Sequence, residues 1–301
     1  MITQGFYETF ARTVVLVVSP HPDDSVLGAG GLIQRLTDRV AWTRDSGLPE
    51  DEWPIVYTIV MTSGSRGVDD QYLRLYLMGK GREKNEGLAD YVARRAAGAP
   101  PEPERDHALA HLCEEIRHQE SQAEARILQV RERFFLSLRG IYEQHTITPE
   151  DRTVARDLIC SLSDRHPDMR RLVLVPHRDD VHPVHKLSTT LVADIIEKDL
   201  VWRNTTVWQY ESPWVNFSPH QIEIVVPFDG IAMATKAEAM AVHRSQEYRT
   251  KYSDIARYRA QMMAETFPEL LGGFGQSGHR WDYVEAFQEL RPVVVLGASK
   301  D

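Results

Sequence analysis

The chain has 301 residues, 42% of them hydrophobic and 26% charged, which excludes wholesale disorder and suffices for the core of one α/β domain. A net charge of −9 and a pI near 5.8 argue against nucleic acid as a partner, because binding the phosphate backbone calls for a basic surface. Two cysteines without metal-type spacing, Cys113 and Cys160, point to a reducing compartment, and no apolar run approaches the ~20 residues that span a bilayer; the expectation is a cytoplasmic protein with no membrane span.

Val14 to Val18 is a run of five apolar β-formers bounded by Ser19 and Pro20, and it reads as a strand buried on both faces. Pro20 and Pro22 lack the amide a central strand needs, so the strand stops there. Asp24 or Ser25 then caps a helix that carries Val26, Leu27, Leu32 and Ile33 inward and runs to about Val40. His21, Asp23 and Asp24 therefore occupy a tight turn at the carboxyl end of a strand, where open α/β sheets bind ligands. Ile55 to Met61 is a second strand, and the polar turn Thr62 to Gly67 places Arg66 to reach the face that holds His21.

From Val68 to about Arg105 the chain is charged and interrupted by Gly and Pro, which predicts a mobile insertion or lid with short helices over 68–105. Ala108 to Gln129 shows apolar residues at mixed three and four spacing, an amphipathic helix with Arg117 and Glu120 as a surface ion pair. Then come a strand at Phe134 to Leu138, a helix from Pro149 to Ser163 capped by Thr148, a buried strand at Leu172 to Val175 and the helix Lys186 to Lys198. Three more strands are expected at Thr205 to Tyr210, Ile222 to Val226 and Val293 to Leu296. A helix from Asp229 to Arg244 bears Lys236 and His243, with Gln246 just beyond. No linker divides the chain, so 1–301 reads as a single domain. Trp202, Trp208, Tyr210 and Trp214 read as core and rim, with Trp214 placed to line a sugar-sized cleft. Gly28-Ala-Gly-Gly31 lacks the spacing of a dinucleotide fingerprint.

Imidazole and carboxylate on one turn can share a divalent metal, but catalytic zinc usually takes three protein ligands. The missing ligand is best sought in Pro176-His-Arg-Asp-Asp-Val-His-Pro-Val-His-Lys186, a second His/Asp-rich turn after a buried strand. His182 and His185 are three apart there, and a helix starting near Pro183 turns both toward one cavity.

Pro20-His-Pro-Asp-Asp24 with its Gly-rich helix start, followed by Asp180-x-His-Pro-x-His185, resembles the PIG-L or LmbE-like superfamily of metal-dependent N-acetyl-sugar deacetylases. Ile116-Arg-x-x-Glu120, Tyr210-Glu-Ser-Pro-Trp214, Lys236-x-x-Ala-Met-x-x-His-x-Ser-Gln246 and Val284-Glu-Ala-Phe287 extend the resemblance in order along nearly the whole chain, nearest to its glucosamine-6-phosphate deaminase-like branch. The resemblance implies a Rossmann-like three-layer sandwich, with a mostly parallel central sheet and helices on both faces. It implies zinc, or iron(II), held by His21, Asp24 and His185, with Asp23 as general base, His182 as an imidazolium that stabilises the oxyanion and Asp180 orienting a histidine. Arg66, Arg117, His243 and Gln246 are the implied substrate contacts. A Lewis-acid metal suits the reaction, because an amide is a poor electrophile until its carbonyl is polarised. The sequence departs from the pattern at Ser25, where a Glu is usual, and at Val184, where an Asp is usual. The resulting expectation is a deacetylase that hydrolyses the amide of an N-acetylglucosamine-like sugar or conjugate; the alternative is a non-catalytic, metal-containing sugar- or metabolite-binding relative.

Overall fold

In a computed structural model, which describes residues 5–79, 82–198, 205–248, 250–267 and 281–291, helix α1 (Phe6–Phe10) leads into strand β1 (Thr13–Ser19), buried along its whole length. Side chains alternate across a strand, so Val15 and Val17 enter one hydrophobic core while Val14, Leu16 and Val18 enter another. A strand apolar on both faces needs helices on both. They come in order as α2 (Asp24–Thr37), α3 (Arg39–Asp45), β2 (Ile55–Val60), α4 (Asp70–Gly79), α5 (Arg82–Ala96), α6 (Pro103–Ile127), β3 (Glu132–Phe135), α7 (Arg139–Glu143) and α8 (Pro149–Asp164). The remainder is β4 (Arg170–Pro176), α9 (Pro183–Lys198), β5 (Thr205–Tyr210), β6 (Ile224–Phe228), α10 (Gly230–Ala241), α11 (Arg244–Glu247), α12 (Tyr252–Thr266) and β7 (Tyr283–Glu289).

The strands form one sheet in the order β3-β2-β1-β4-β5-β7-β6. Strands β1 to β5 pair in parallel, and β7 runs antiparallel to β5 and β6. This is the Rossmann-like α/β sandwich expected from the sequence. From β1 the chain builds outward through β2 and β3, then returns to lay β4 on the other side of β1. The carboxyl ends of β1 and β4 thus flank the point where strand order reverses, the usual ligand crevice of such sheets.

Most expected elements appear with their ends shifted by a few residues. Helix α6 begins at Pro103, a residue suited to a first helical turn because its missing amide is not needed there. Within 68–105 the described residues hold the helix pair α4 and α5 and the first residues of α6. Leu73, Leu77, Tyr91 and Val92 form a small core with Leu109, Cys113 and Ile116 of α6. Strand β7 and helix α12 were not among the expected elements, and Val293 to Leu296, like Trp202, lies outside the described residues. Among the described residues no helix is long and apolar enough to cross a membrane.

Helix α2 is broken at Ala29, whose φ of −139° leaves the helical region. The break frees backbone groups in the protein interior, and two distant residues meet them. Glu285 of β7 accepts from the Gly31 amide at 2.7 Å and the Leu32 amide at 2.8 Å. Lys236 of α10 donates to the Leu27 carbonyl at 2.9 Å and to Glu285 at 2.6 Å. Gly28 is required by proximity: a Cβ there would overlap the Tyr210 ring. Lys236, Glu285 and the glycines, all part of the recognised motifs, therefore shape the helix behind the first turn. Replacing Lys236 with Met leaves a buried carboxylate without its cation, and the expected cost is about 3–5 kcal/mol in denaturant unfolding. A loss below about 1 kcal/mol would show that the pair does not mend the break.

Candidate metal centre

Parallel pairing of β1 with β4 brings together two turns that are 164 residues apart. On the first, Asp24 opens α2, and its Oδ2 accepts from the His21 amide at 2.8 Å and stands 3.1 Å from His21 Nδ1. On the second, His185 in the first turn of α9 places Nε2 3.1 Å from the same oxygen and 3.2 Å from His21 Nδ1. Three donor atoms thus form a nearly equilateral triangle. Ligands held about 2.0–2.2 Å from zinc in a tetrahedral site stand about 3.3–3.6 Å apart, so the triangle need open by only a few tenths of an ångström to hold an ion. His182 lies close by, and one nitrogen each of His21, His182 and His185 fall within 4.8 Å of one another. The Asp24-containing triangle is the tighter cradle and supplies a hard oxygen with two imidazoles, a donor set suited to zinc or iron(II).

Asp180 sets the orientation of the second turn. Its Oδ2 lies 2.8 Å from His185 Nδ1, and its Oδ1 accepts from the His182 amide at 2.8 Å. A carboxylate only accepts, so the His185 Nδ1 proton is committed to Asp180 and Nε2 is left to face the triangle. Burial alone would lower the His185 pKa, but Asp24 and Asp180 overcome it and raise it to about 10. Burial pushes the Asp24 carboxyl the other way, yet His185 and His21 hold it well below the ordinary range. The point between the two carboxylates favours positive charge, whether a proton or a cation. His182 differs: burial and then the neighbouring His21 and His185 lower it to about 4. These surroundings favour the neutral imidazole, where the resemblance implies an imidazolium, and its Nδ1 is buried without a hydrogen-bond partner.

Asp23 is turned to a different partner. Its Oδ1 accepts from Arg117 Nη2 at 2.7 Å. Arg117 is 2% exposed and Glu120 8%, so the expected surface ion pair is buried instead. Residues 117, 120, 121 and 124 recur at helical spacing, and this polar stripe of α6 faces inward onto the first turn. Ser121 donates to the Pro22 carbonyl at 2.9 Å, and Glu124 accepts from the Ser25 hydroxyl at 2.9 Å. At position 25, where the resemblance leads one to expect Glu, a serine thus meets a carboxylate supplied by α6. Glu124 also pairs with Arg133 at 2.6 Å and lies 2.9 Å from His243 Nε2. His243, with no exposed surface, braces α6 and takes no part in the cavity wall, a correction to its expected substrate contact.

The triangle opens into a cavity of about 330 Å³ that Asp23, Arg66, Arg117, His182 and Gln246 also line. Arg117 is committed to Asp23. Arg66 lies over the Tyr142 ring, 5.1 Å from its centroid, and Gln246 donates to the Gly67 carbonyl at 2.8 Å. A larger hollow of about 590 Å³ between Glu211 and Thr266 contains none of the triangle residues. The chemistry of the lining, not size, selects the smaller cavity. Tyr142 and His145 also line it and were not anticipated. His145 has a left-handed φ of +50°, which no pattern in the sequence announces. Ser121 and Glu124 were legible in principle as the continuation of the Arg117 and Glu120 stripe.

No protein-family model matches the chain. A Bacteroides thetaiotaomicron protein named as glucosamine-6-phosphate deaminase-like is 21% identical over 248 residues, 77% of this chain. The chain spans 35% of that relative's length. The N,N′-diacetylchitobiose deacetylase of Pyrococcus horikoshii superposes with a TM-score of 0.56 at 21% identity, over 96% of this chain and 86% of that one. The 4-carboxy-2-hydroxymuconate hydratase of Pseudomonas putida KT2440 superposes equally well, with a TM-score of 0.56 at 16% identity over 95% of this chain and all of that one. The shared property is the fold, and a hydratase shares it with a deacetylase.

Burial would raise the Glu124 carboxyl, but Arg133 and then His243 outweigh it and lower it to about 2. A depressed carboxylate stabilises the fold above its unfolded value of about 4.3, and that stabilisation fades as pH falls toward the folded value. Glu124→Gln is therefore expected to destabilise the protein at neutral pH, with the gap to wild type narrowing between about pH 4.3 and 2. Unfolding curves measured across that range check it; a gap independent of pH would contradict the account.

Proposed function

We propose that the chain is a PIG-L/LmbE-like metal-dependent amide hydrolase that releases acetate from an N-acetylglucosamine-like sugar or conjugate. The observation that carries this reading is the His21, Asp24 and His185 triangle with a carboxylate beside it that is not one of its corners. His21, Asp24 and His185 would hold a divalent ion, zinc or iron(II), which when bound supplies Lewis-acid polarisation of the amide carbonyl and of the attacking water. Asp23 takes the proton of that water as the new C–O bond forms and delivers it to the amine as the C–N bond breaks. Arg117 keeps Asp23 oriented through a charge-assisted hydrogen bond to one of its oxygens. His182 donates from a neutral ring toward the carbonyl oxygen, where charge accumulates. Asp180 holds His185 so that Nε2 stays on the ligand side. Arg66 and Gln246 sit on the cavity wall as substrate contacts.

The alternative, a binding protein without turnover, gives Asp23 no task. A buried arginine devoted to that carboxylate favours catalysis. The hydratase of like fold shows that the architecture alone does not choose the reaction.

The test is acetate release from N-acetylglucosamine by the metal-loaded protein. Chelation is expected to abolish it and added zinc or iron(II) to restore it; hydrolysis that survives complete chelation would overturn the reading. Asp23→Asn is expected to lower kcat by about 10²–10⁴-fold with the metal content unchanged. Undiminished acetate release would remove Asp23 as the base.

A further inference from the structure

Trp214 stands out among the aromatic residues because it is 52% exposed and yet held in place beside the candidate catalytic histidine. Its ring stacks on His182 at 6.1 Å between centroids and 23° between planes. The loop that carries it is fastened at several points. The Trp214 amide donates to Ser212 Oγ at 3.1 Å, Ser212 bridges to Val215, and Arg259 donates to the carbonyls of Ser212 and Pro213. Ser212, at the base of this loop, stands close enough to Asp180 to help lower its pKa, and Asp180 in turn orients His185, so the loop is anchored beside the triangle.

The cavity wall combines two kinds of surface. Trp214 offers an indole beside His182; the His21 ring, 4.8 Å from that of His182, lies 6.4 Å from Tyr142, which holds Arg66, and His145 is a further polar group in the lining. A pyranose has the same division, with a C–H-rich face and a hydroxyl edge. Stacking that face on an exposed indole removes apolar surface of both from water, while the hydroxyls keep polar partners. An acyclic amide or a flat polar acid offers no such face.

We propose that Trp214 is the specificity-determining platform of this site, selecting substrates whose amide is borne on a pyranose ring over acyclic amides. The proposal rests on the hydrolase reading above and adds the feature of the substrate that the site reads. Platform stacking acts on binding, so in Trp214→Ala the KM for N-acetylglucosamine is expected to rise about tenfold, the equivalent of about 1.4 kcal/mol, with kcat within about twofold. The preference for N-acetylglucosamine over N-acetylethanolamine, as a ratio of kcat/KM, should fall by the same factor, and Trp214→Phe should restore most of it. A fall in kcat with KM unchanged would mean that Trp214 only positions His182, and an undiminished preference would mean that the ring is not read there; either overturns the proposal. If the wild-type protein hydrolyses neither amide, the hydrolase reading fails, and the platform is judged by binding alone. Glucosamine should then change the fluorescence of the metal-loaded wild-type protein and not of Trp214→Phe; no Trp214-dependent change at saturation would sink the platform as well.

Discussion

The register between β1 and β4 is the constraint on which the site depends. Neither turn is a metal centre alone: the first offers His21 and Asp24, the second His185. Parallel hydrogen bonding aligns Val14 through Val17 with Arg171 through Leu174, so both strands end at the same level and their turns face one another. A one-residue slip would exchange the two faces of a strand. Because β1 is apolar on both sides, burial alone would not resist that slip strongly, and the added pressure comes from the strand's carboxyl end. Pro20 and Pro22 halt the ladder, and the Tyr210 hydroxyl, donating to the Val18 carbonyl at 2.7 Å, fastens the end of β1 to β5.

Around that junction the protein buries an unusual amount of charge. Asp24, Arg117, Glu120, Glu124, Asp180, Lys236 and Glu285 are all largely excluded from water, yet each has a partner of opposite charge or a set of hydrogen-bond donors. Buried pairs of this kind contribute little net stability over an apolar core, since desolvation consumes most of the attraction. Their use here is positional. Glu285 and Lys236 permit a break in α2 that an ordinary helix would not have, and the inward stripe of α6 fastens three parts of the first turn, at Pro22, Asp23 and Ser25. Asp24, the carboxylate of the proposed metal triangle, and the proposed base Asp23 are adjacent in sequence, and separate anchors direct them to different partners.

The same geometry explains how two neighbouring histidines come to differ. His185 lies between Asp24 and Asp180 and is pulled toward the charged state, whereas His182 is half-buried against two other imidazoles and is pushed to the neutral one. One ring is suited to the place where positive charge gathers, and the other to donating a proton without carrying charge of its own. Their separation in the sequence is three residues; their difference is environmental.

What the sequence by itself determined is local. The apolar run of β1, the prolines that end it, the Thr148 cap of α8 and the paired His/Asp-rich turns after buried strands were legible because each depends on neighbours in the chain. The resemblance to a known family, carried by those turns and later motifs, supplied the sheet's class and singled out His21, Asp24 and His185 as the candidate ligands. Legibility did not extend to β7, whose place between β5 and β6 reflects pairing with partners far away in sequence, nor to α12. Tertiary structure alone decided that Arg117 grips Asp23 and is not spent on solvent, that His243 braces a buried carboxylate, that His182 is half-buried against two other imidazoles and that Trp214 stands half-exposed beside it. Charge state and exposure are set by what surrounds a side chain in space, and those surroundings come largely from segments distant in the chain, whose approach no local pattern encodes.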